Sequence, residues 1–228
     1  MNILGIIPAR EGSKRVHQKN FRVFADTTLT DIAINQALGS KLISTIVISS
    51  DSTNVLNIAK KYDQVIPLLR PKELSNDHSP AIDYIRHTLS LLEKEQKYDL
   101  VVIIQPSSPL RSSEDIDNTI KLLIDNPDAD SAVSIVKVSH MVHPLKLKTL
   151  QGNILLPFIE DENGRFATND LPDIYVRNCA VYVSWRKEME TKPEIIGNKS
   201  LGYLMPAETS VDINDMIDFE FAEYLFKK

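Results

Sequence analysis

Residues 2–20 read NILGIIPAREGSKRVHQKN, an apolar run that empties into a loop carrying Arg10, Lys14, Lys19 and Asn20. A buried strand followed by a basic, Gly-containing loop is one way α/β proteins hold a polyphosphate at the carboxyl edge of a sheet. Pro8 ends the strand, and Gly12 permits a φ > 0 turn that points backbone N–H groups inward. Two commoner phosphate loops are excluded: no G-x-x-x-x-G-K-[ST] exists, and Gly12 lacks the partner glycines of a dinucleotide fingerprint. Arg15, His17, Gln18 and Lys19 show no apolar 3.6-residue period, so no helix is expected to open after Ser13. Side-chain cations must then carry much of the binding. A solvated basic turn is the competing reading, and the position directly after a buried strand is what favours phosphate.

Outward from this loop, apolar runs alternate with helical patterns. Residues 3–7, 45–48, 65–69, 100–104 and 132–136 are short, β-branched and nearly continuous, as strands covered on both faces are. Between them, residues 29–38, 55–61, 82–92 and 116–124 place apolar side chains at i, i+3, i+4 and i+7. The β-α-β-α order predicts an α/β fold with a mainly parallel sheet and helices on both faces, its ligands lying beyond the carboxyl ends of the strands. Residues 140–174 break the alternation with three prolines, Gly152 and Gly164, and are expected to form an irregular or hairpin-like insertion projecting from the sheet. Strands at 180–184 and 201–205 and a helix over 215–226 close a single domain, 1–228.

The chain has 228 residues, 43% of them hydrophobic, enough to bury a full core, and a net charge of −5. The basic loop thus stands on an acidic background. No basic stripe with interleaved aromatics is present, which argues against nucleic acid as a partner. The longest uninterrupted apolar run, LVVII at 100–104, is strand-sized, so no membrane span is expected, and no signal peptide is read at the N-terminus. Cys179 is the one cysteine and lies in the apolar run CAVYV. A core position and a reducing, cytoplasmic setting are expected.

Four further segments carry chemistry. ISSDS (48–52) ends a strand with three hydroxyls and a carboxylate; Asp51 or Ser52 suits either a helix N-cap or ligand contact. RPKEL (70–74) sets Arg70 at the rim, suited to a phosphate, a base carbonyl or a surface ion pair. QPSSPLR (105–111) forms a stiff extended loop displaying Gln105, with Arg111 expected to pair with Glu114 or Asp115. SVDIND (210–215) places Asp212 and Asn214 on one face of a strand-like stretch, as two hard oxygen ligands for Mg²⁺ or as caps of the last helix. His140 and His143 lack a third nitrogen or sulfur ligand, which argues against zinc.

Taken together, IPAREGSKRVHQKN, ISSDS, RPKEL, QPSSPLR, HPLK, NCAVY and SVDIN, in this order and over nearly the whole chain, resemble the bacterial cytidylyltransferases that activate nonulosonic acids: the CMP-sialic acid synthetases and their legionaminic and pseudaminic counterparts. Relatives that activate 3-deoxy-manno-octulosonate share the fold but carry a different first loop, and a non-catalytic nucleotide-binding regulator is a third reading. The resemblance implies a Rossmann-like nucleotidyltransferase fold, CTP and a nonulosonic acid as substrates, and Mg²⁺, replaceable by Mn²⁺, on Asp212 and Asn214. It implies nucleotide contacts from Ala9, Arg10, Gly12, Ser13, Lys14, Asn20 and Arg70, with Arg10, Lys14 and Asp212 catalytic. Gln105, Lys146 and Arg177 are implied for the sugar acid, and the insertion for a homodimer in which Lys146 reaches towards the partner's site. Three departures from the sialic acid pattern stand out: Arg177 is shifted by one residue, Asn214 replaces a second aspartate, and Ala81 replaces a serine.

Overall fold

The computed structural model describes residues 1–159 and 171–228; residues 160–170 of the insertion, Gly164 included, lie outside the described residues. Along the chain run β1 (Ile3–Pro8), β2 (Val23–Phe24), β3 (Thr27–Thr28), α1 (Leu29–Leu38), β4 (Thr45–Ser50), α2 (Thr53–Ala59) and β5 (Val65–Leu69). They are followed by α3 (Ala81–Leu92), β6 (Leu100–Ile104), α4 (Ser113–Ile124), β7 (Ser131–Lys137), β8 (Lys148–Gln151) and β9 (Ile154–Pro157). The chain closes with β10 (Tyr175–Trp185), α5 (Glu188–Thr191), β11 (Ser200–Leu204) and α6 (Met216–Phe226). Among the described residues no helix is long and apolar enough to cross a membrane.

Seven strands form one sheet in the order β11-β7-β10-β6-β1-β4-β5. β6, β1, β4 and β5 are parallel, and β7 and β11 are parallel to each other, but β10 runs antiparallel to both of its neighbours. Helices cover both faces, as expected from the continuous apolar strands. One face packs Ala33, Ile34 and Ala37 of α1, Val55 and Ile58 of α2, and Ile116, Ile120 and Leu123 of α4. The other packs Ile82, Tyr84, Ile85 and Leu89 of α3 with Met189 of α5.

A third cluster decides where the site forms. Val16 from the first loop, Phe24, Leu29 and Ile32 pack against Ile213, Phe219 and Ala222. Phe24 and Phe219 meet edge to face at 5.2 Å between ring centres. Burying Val16 contributes about 1.5 kcal/mol and, with its neighbours, ties the cationic loop to the 211–215 segment. Residues 211–214 are not a strand. Nor do Asp212 or Asn214 cap the last helix: Asp215 does, through a capping box with Asp218.

The insertion opens with two 3-10 turns, His140–Val142 and Pro144–Lys146, and continues as the β8–β9 hairpin. Every residue of the hairpin is exposed, Leu150, Ile154 and Leu155 by 65–69%. Apolar side chains are thus displayed here rather than packed on the domain.

Candidate active site

Because β1, β4, β5 and β6 are parallel, Pro8, Ser50, Leu69 and Ile104 all end at one edge of the sheet. β10 is antiparallel, so its beginning, not its end, reaches the same edge. A cleft of about 620 Å³ opens there, walled by the first loop, the 74–84 segment and residues 105–107.

The first loop is held by hydrogen bonds from three directions. Ala9 N–H donates to Ser49 O at 3.1 Å, and Ser50 Oγ donates to Ala9 O at 2.5 Å. Glu11 N–H donates to Asp51 Oδ1 at 2.9 Å, so Asp51 braces the loop rather than capping α2. Ser52 occupies the N-cap position of α2, but its side chain makes no capping bond. Asn20 is buried and donates its amide to Arg10 O at 2.8 Å, while its own carbonyl accepts from Thr30 Oγ1 at 2.6 Å. The left-handed residue of the loop is Gln18, with φ +58°, not Gly12, which has ordinary backbone and open space around it. The turn falls late because Val16 must first reach its core cluster; Phe21 and Arg22 N–H groups then close back onto Gln18 O.

Within the cleft stand Arg10, Ser13, Lys14, Lys19, Asn20, Arg70, Gln105 and Asn214, together with Asp77, Ala81 and Tyr84. Lys19 Nζ donates to Ile213 O at 2.8 Å, and burial lowers its pKa, with Asp212 acting in the opposite sense. Arg70 is not at the rim. It is 4% exposed, with Nε on Ser49 Oγ at 3.0 Å, Nη2 on Ser49 O at 2.7 Å and its guanidinium 4.2 Å from the centre of the Tyr84 ring. Burial lowers the Arg70 pKa and pushes the Tyr84 phenol up to about 12. Asp77 is ion-paired to both Arg10, at 2.7 Å, and Lys14. Those two cations hold its carboxyl down at about 2. Sequence reading passed over Asp77 because no local pattern marks it.

Gln105 faces the cleft from a loop held by Arg111. That arginine is 2% exposed and forms no ion pair among the described residues; Nη1 donates to the carbonyls of Gln105, Ser108 (3.0 Å) and Ala180 (3.4 Å). Burial lowers its pKa. Asp115, its expected partner, is occupied by Ser112 and by Tyr203 Oη. Ser107 O accepts from Ile213 N at 2.8 Å, which seats the Asp212 segment against this loop.

Asp212 and Asn214 lie side by side, but Asn214 presents nitrogen to its neighbour: Nδ2 donates to Asp212 Oδ2 at 3.0 Å while Oδ1 accepts from Arg15 Nη2 at 3.3 Å. The Asp212 carboxylate fits a hard cation that completes its shell with water and phosphate oxygens. The amide of Asn214, as oriented, does not fit as a second ligand. Among the described residues no group of three or more His, Cys, Asp and Glu side chains is placed to hold a metal ion.

Cys179 is not a core residue. It is half-buried with φ +61° inside an irregularity of β10 between Arg177 and Tyr182, and it interacts with Tyr182 and Asp212; burial raises its pKa. The cause is Asn178, whose buried side chain accepts from Ser134 Oγ at 2.6 Å and donates to Ser210 Oγ at 2.9 Å. Pinning that amide inward breaks the ladder register. Arg177, opposite Ile135, is exposed and does not line the cleft. Lys146, in the second 3-10 turn of the insertion, does not line it either, nor do Ala9, Gly12 and Asp212.

A mainly parallel α/β sheet with a cationic cleft at its carboxyl edge is an arrangement by which nucleotide-handling enzymes hold phosphates. The sequence matches the cytidylyltransferase family over residues 4–189, and the chain belongs to that family. It is 33% identical to CMP-N,N'-diacetyllegionaminic acid synthase of Legionella pneumophila, over 100% of this chain and 97% of that one. It is 31% identical to N-acylneuraminate cytidylyltransferase of Escherichia coli O18:K1:H7, over 96% of this chain but 51% of that protein, so it spans about half of that relative's length. Among solved structures, a CMP:2-keto-3-deoxy-manno-octonic acid synthetase complexed with CTP superposes with a TM-score of 0.72 at 15% identity, covering 100% of this chain and 99% of that one. At that identity the likeness speaks for the fold.

Proposed function

We propose that the protein transfers CMP from CTP to the anomeric hydroxyl of a nonulosonic acid. The bond formed joins the anomeric oxygen to the α-phosphorus; the bond broken releases pyrophosphate. The observation that carries this reading is the convergence of Arg10, Lys14 and Lys19 with Arg70 and Gln105 in one cleft at the strand ends. Phosphoryl transfer requires little covalent help from protein, so alignment and fixed positive charge supply most of the rate. Arg10 and Lys14 would neutralise charge on the departing pyrophosphate. Lys19, held by Ile213 O, adds a third cation whose position costs nothing further at the moment of reaction. Arg70 and Asn20 support the nucleotide from the wall, with Ala9, Gly12 and Ser13 supplying the backbone of the loop.

Asp212 is the residue that would hold Mg²⁺ or Mn²⁺. When bound, such an ion would neutralise phosphate charge and fix the triphosphate. Gln105, Lys146 and Arg177 are assigned to the sugar acid, where a cation pairs with its carboxylate. Lys146 and Arg177 lie outside this protomer's cleft, and the exposed apolar hairpin supports a homodimer that brings insertion residues to a partner's site. A legionaminic- or pseudaminic-type acid is favoured over the common sialic acid because Arg177 is displaced from the sialic acid pattern. We assign the protein to the cytoplasm.

The test is pyrophosphate release from CTP against a panel of nonulosonic acids, with 3-deoxy-manno-octulosonate included. Turnover confined to the octulosonate would move the assignment to that branch, and absence of turnover with every acid would leave a nucleotide-binding regulator. Clear preference for N-acetylneuraminate would reverse the choice of sugar.

A further inference from the structure

The two cations assigned to the leaving phosphates already have a partner. Arg10 Nη1 donates to Asp77 Oδ1 at 2.7 Å, and Lys14 Nζ pairs with the other oxygen of the same carboxylate. One anion bridging two cations through separate oxygens is the arrangement a phosphate would adopt there. The contact joins segments 67 residues apart in sequence, so it is tertiary and not an accident of neighbouring side chains.

The loop that presents Asp77 is shaped for it. Asn76 Oδ1 accepts from His78 N–H at 2.9 Å, an Asx turn directly around Asp77. Asn76 Nδ2 and Ser79 Oγ both donate to Glu73 O at 2.7 Å, which closes the loop upon itself. Ser75 O lies 3.5 Å from Arg10 Nη1, a second and weaker tie to the same guanidinium. Asn76, Asp77 and Ser79 line the cleft directly, as do Arg10 and Lys14.

We propose that Asp77 is an internal competitor for the triphosphate: its carboxylate closes the cationic loop when no nucleotide is bound, yields to the phosphates of CTP, and returns to Arg10 and Lys14 as pyrophosphate leaves. The inference rests on the reading of Arg10 and Lys14 as phosphate ligands. Its physical basis is a comparison of charge. A carboxylate brings a single negative charge, whereas a polyphosphate brings several along with more acceptor oxygens. Ion pairs open to solvent are individually weak, so a polyanion displaces this one readily while a monophosphate competes less well. The device therefore favours CTP over CMP and opposes retention of pyrophosphate.

Calorimetric titration of inorganic pyrophosphate and of CTP into wild type, Asp77→Asn, Asp77→Ala, Asp77→Glu, Arg10→Ala and Lys14→Ala tests the idea. Both Asp77 variants should bind pyrophosphate more tightly by about 3- to 10-fold, the scale of two exposed ion pairs, and Asp77→Glu should restore wild-type affinity. Arg10→Ala should weaken the same binding. If Arg10→Ala weakens pyrophosphate binding but neither Asp77 variant tightens it, Asp77 is a surface ion pair and the proposal is overturned while the phosphate reading stands. If Arg10→Ala and Lys14→Ala both leave pyrophosphate affinity unchanged, the phosphate reading fails, and the proposal with it. Urea unfolding of each variant confirms that the comparison is between folded proteins.

Discussion

Replacing Arg70 by methionine separates a binding residue from a structural brace, because the two roles have different energetic signatures. The change removes Nε–H to Ser49 Oγ and Nη2–H to Ser49 O, at 3.0 and 2.7 Å. Hydrogen bonds from a charged group contribute about 1.5–3 kcal/mol each, and the guanidinium over Tyr84 about 0.5–2 kcal/mol. Against this stands desolvation of a cation that is 4% exposed, several kcal/mol for a buried ion, which the variant no longer bears. Methionine also keeps the aliphatic stem and offers a sulfur–aromatic contact worth about 0.3–1.5 kcal/mol. These terms nearly offset one another, so unfolding stability should change by less than about 2 kcal/mol. CTP binding has no such compensation. Loss of one charge-assisted contact, about 2–3 kcal/mol, should weaken CTP by roughly 30- to 150-fold. Urea unfolding, with midpoint and slope both recorded, measures the first quantity and calorimetric titration of CTP the second. A large drop in stability with unchanged CTP affinity would refute the reasoning and make Arg70 a clamp on the end of β4.

The other expectations follow from the same cleft. Arg10→Ala and Lys14→Ala should each lower kcat by about 10²-fold or more, the scale for one preorganised electrostatic group, and wild-type turnover in either variant would remove that residue from the reaction. Activity should vanish with chelator and return with Mg²⁺ or Mn²⁺ rather than zinc, and Asp212→Ala should be far more damaging than Asn214→Ala; equal turnover in chelator would end the metal assignment. Light scattering should show a dimer that Leu155→Asp dissociates, since Leu155 is 67% exposed on the hairpin; a wild-type monomer at micromolar concentration would count against the buried insertion. Lys146→Ala should raise KM for the sugar acid more than for CTP, and a defect confined to CTP would place Lys146 on the nucleotide.

Several features of the site were legible in residue order, and each was legible for a local reason. Five strands and four helices were marked by continuous β-branched runs and by the i, i+3, i+4, i+7 period, both of which operate within a dozen residues. The cationic loop was visible because it follows β1 directly. Where the reading failed, a distant partner intervened. Following a strand end, Arg70 reads as a rim residue, but Ser49 and Tyr84 enclose it from other elements. Arg111 was expected to pair with Glu114 or Asp115 of the helix that follows it, yet the carbonyls of Gln105, Ser108 and Ala180 claim it. Gly12 was given the left-handed turn that Gln18 makes, because the anchoring of Val16 against Ile213 and Phe219 cannot be seen in sequence.

By itself the sequence determined the α/β alternation, the family and the placing of a basic loop after the first strand, since periodicity and strand-to-loop order are local properties of a chain. Only the tertiary structure decided which charges meet. The 67 residues between Arg10 and Asp77, the antiparallel entry of β10 that carries Cys179 to Asp212, and the aromatic cluster that fastens Ile213 to the first loop all depend on strand order and on core packing. Those are global constraints, settled when the whole apolar surface is buried at once, and no short stretch of residues contains them.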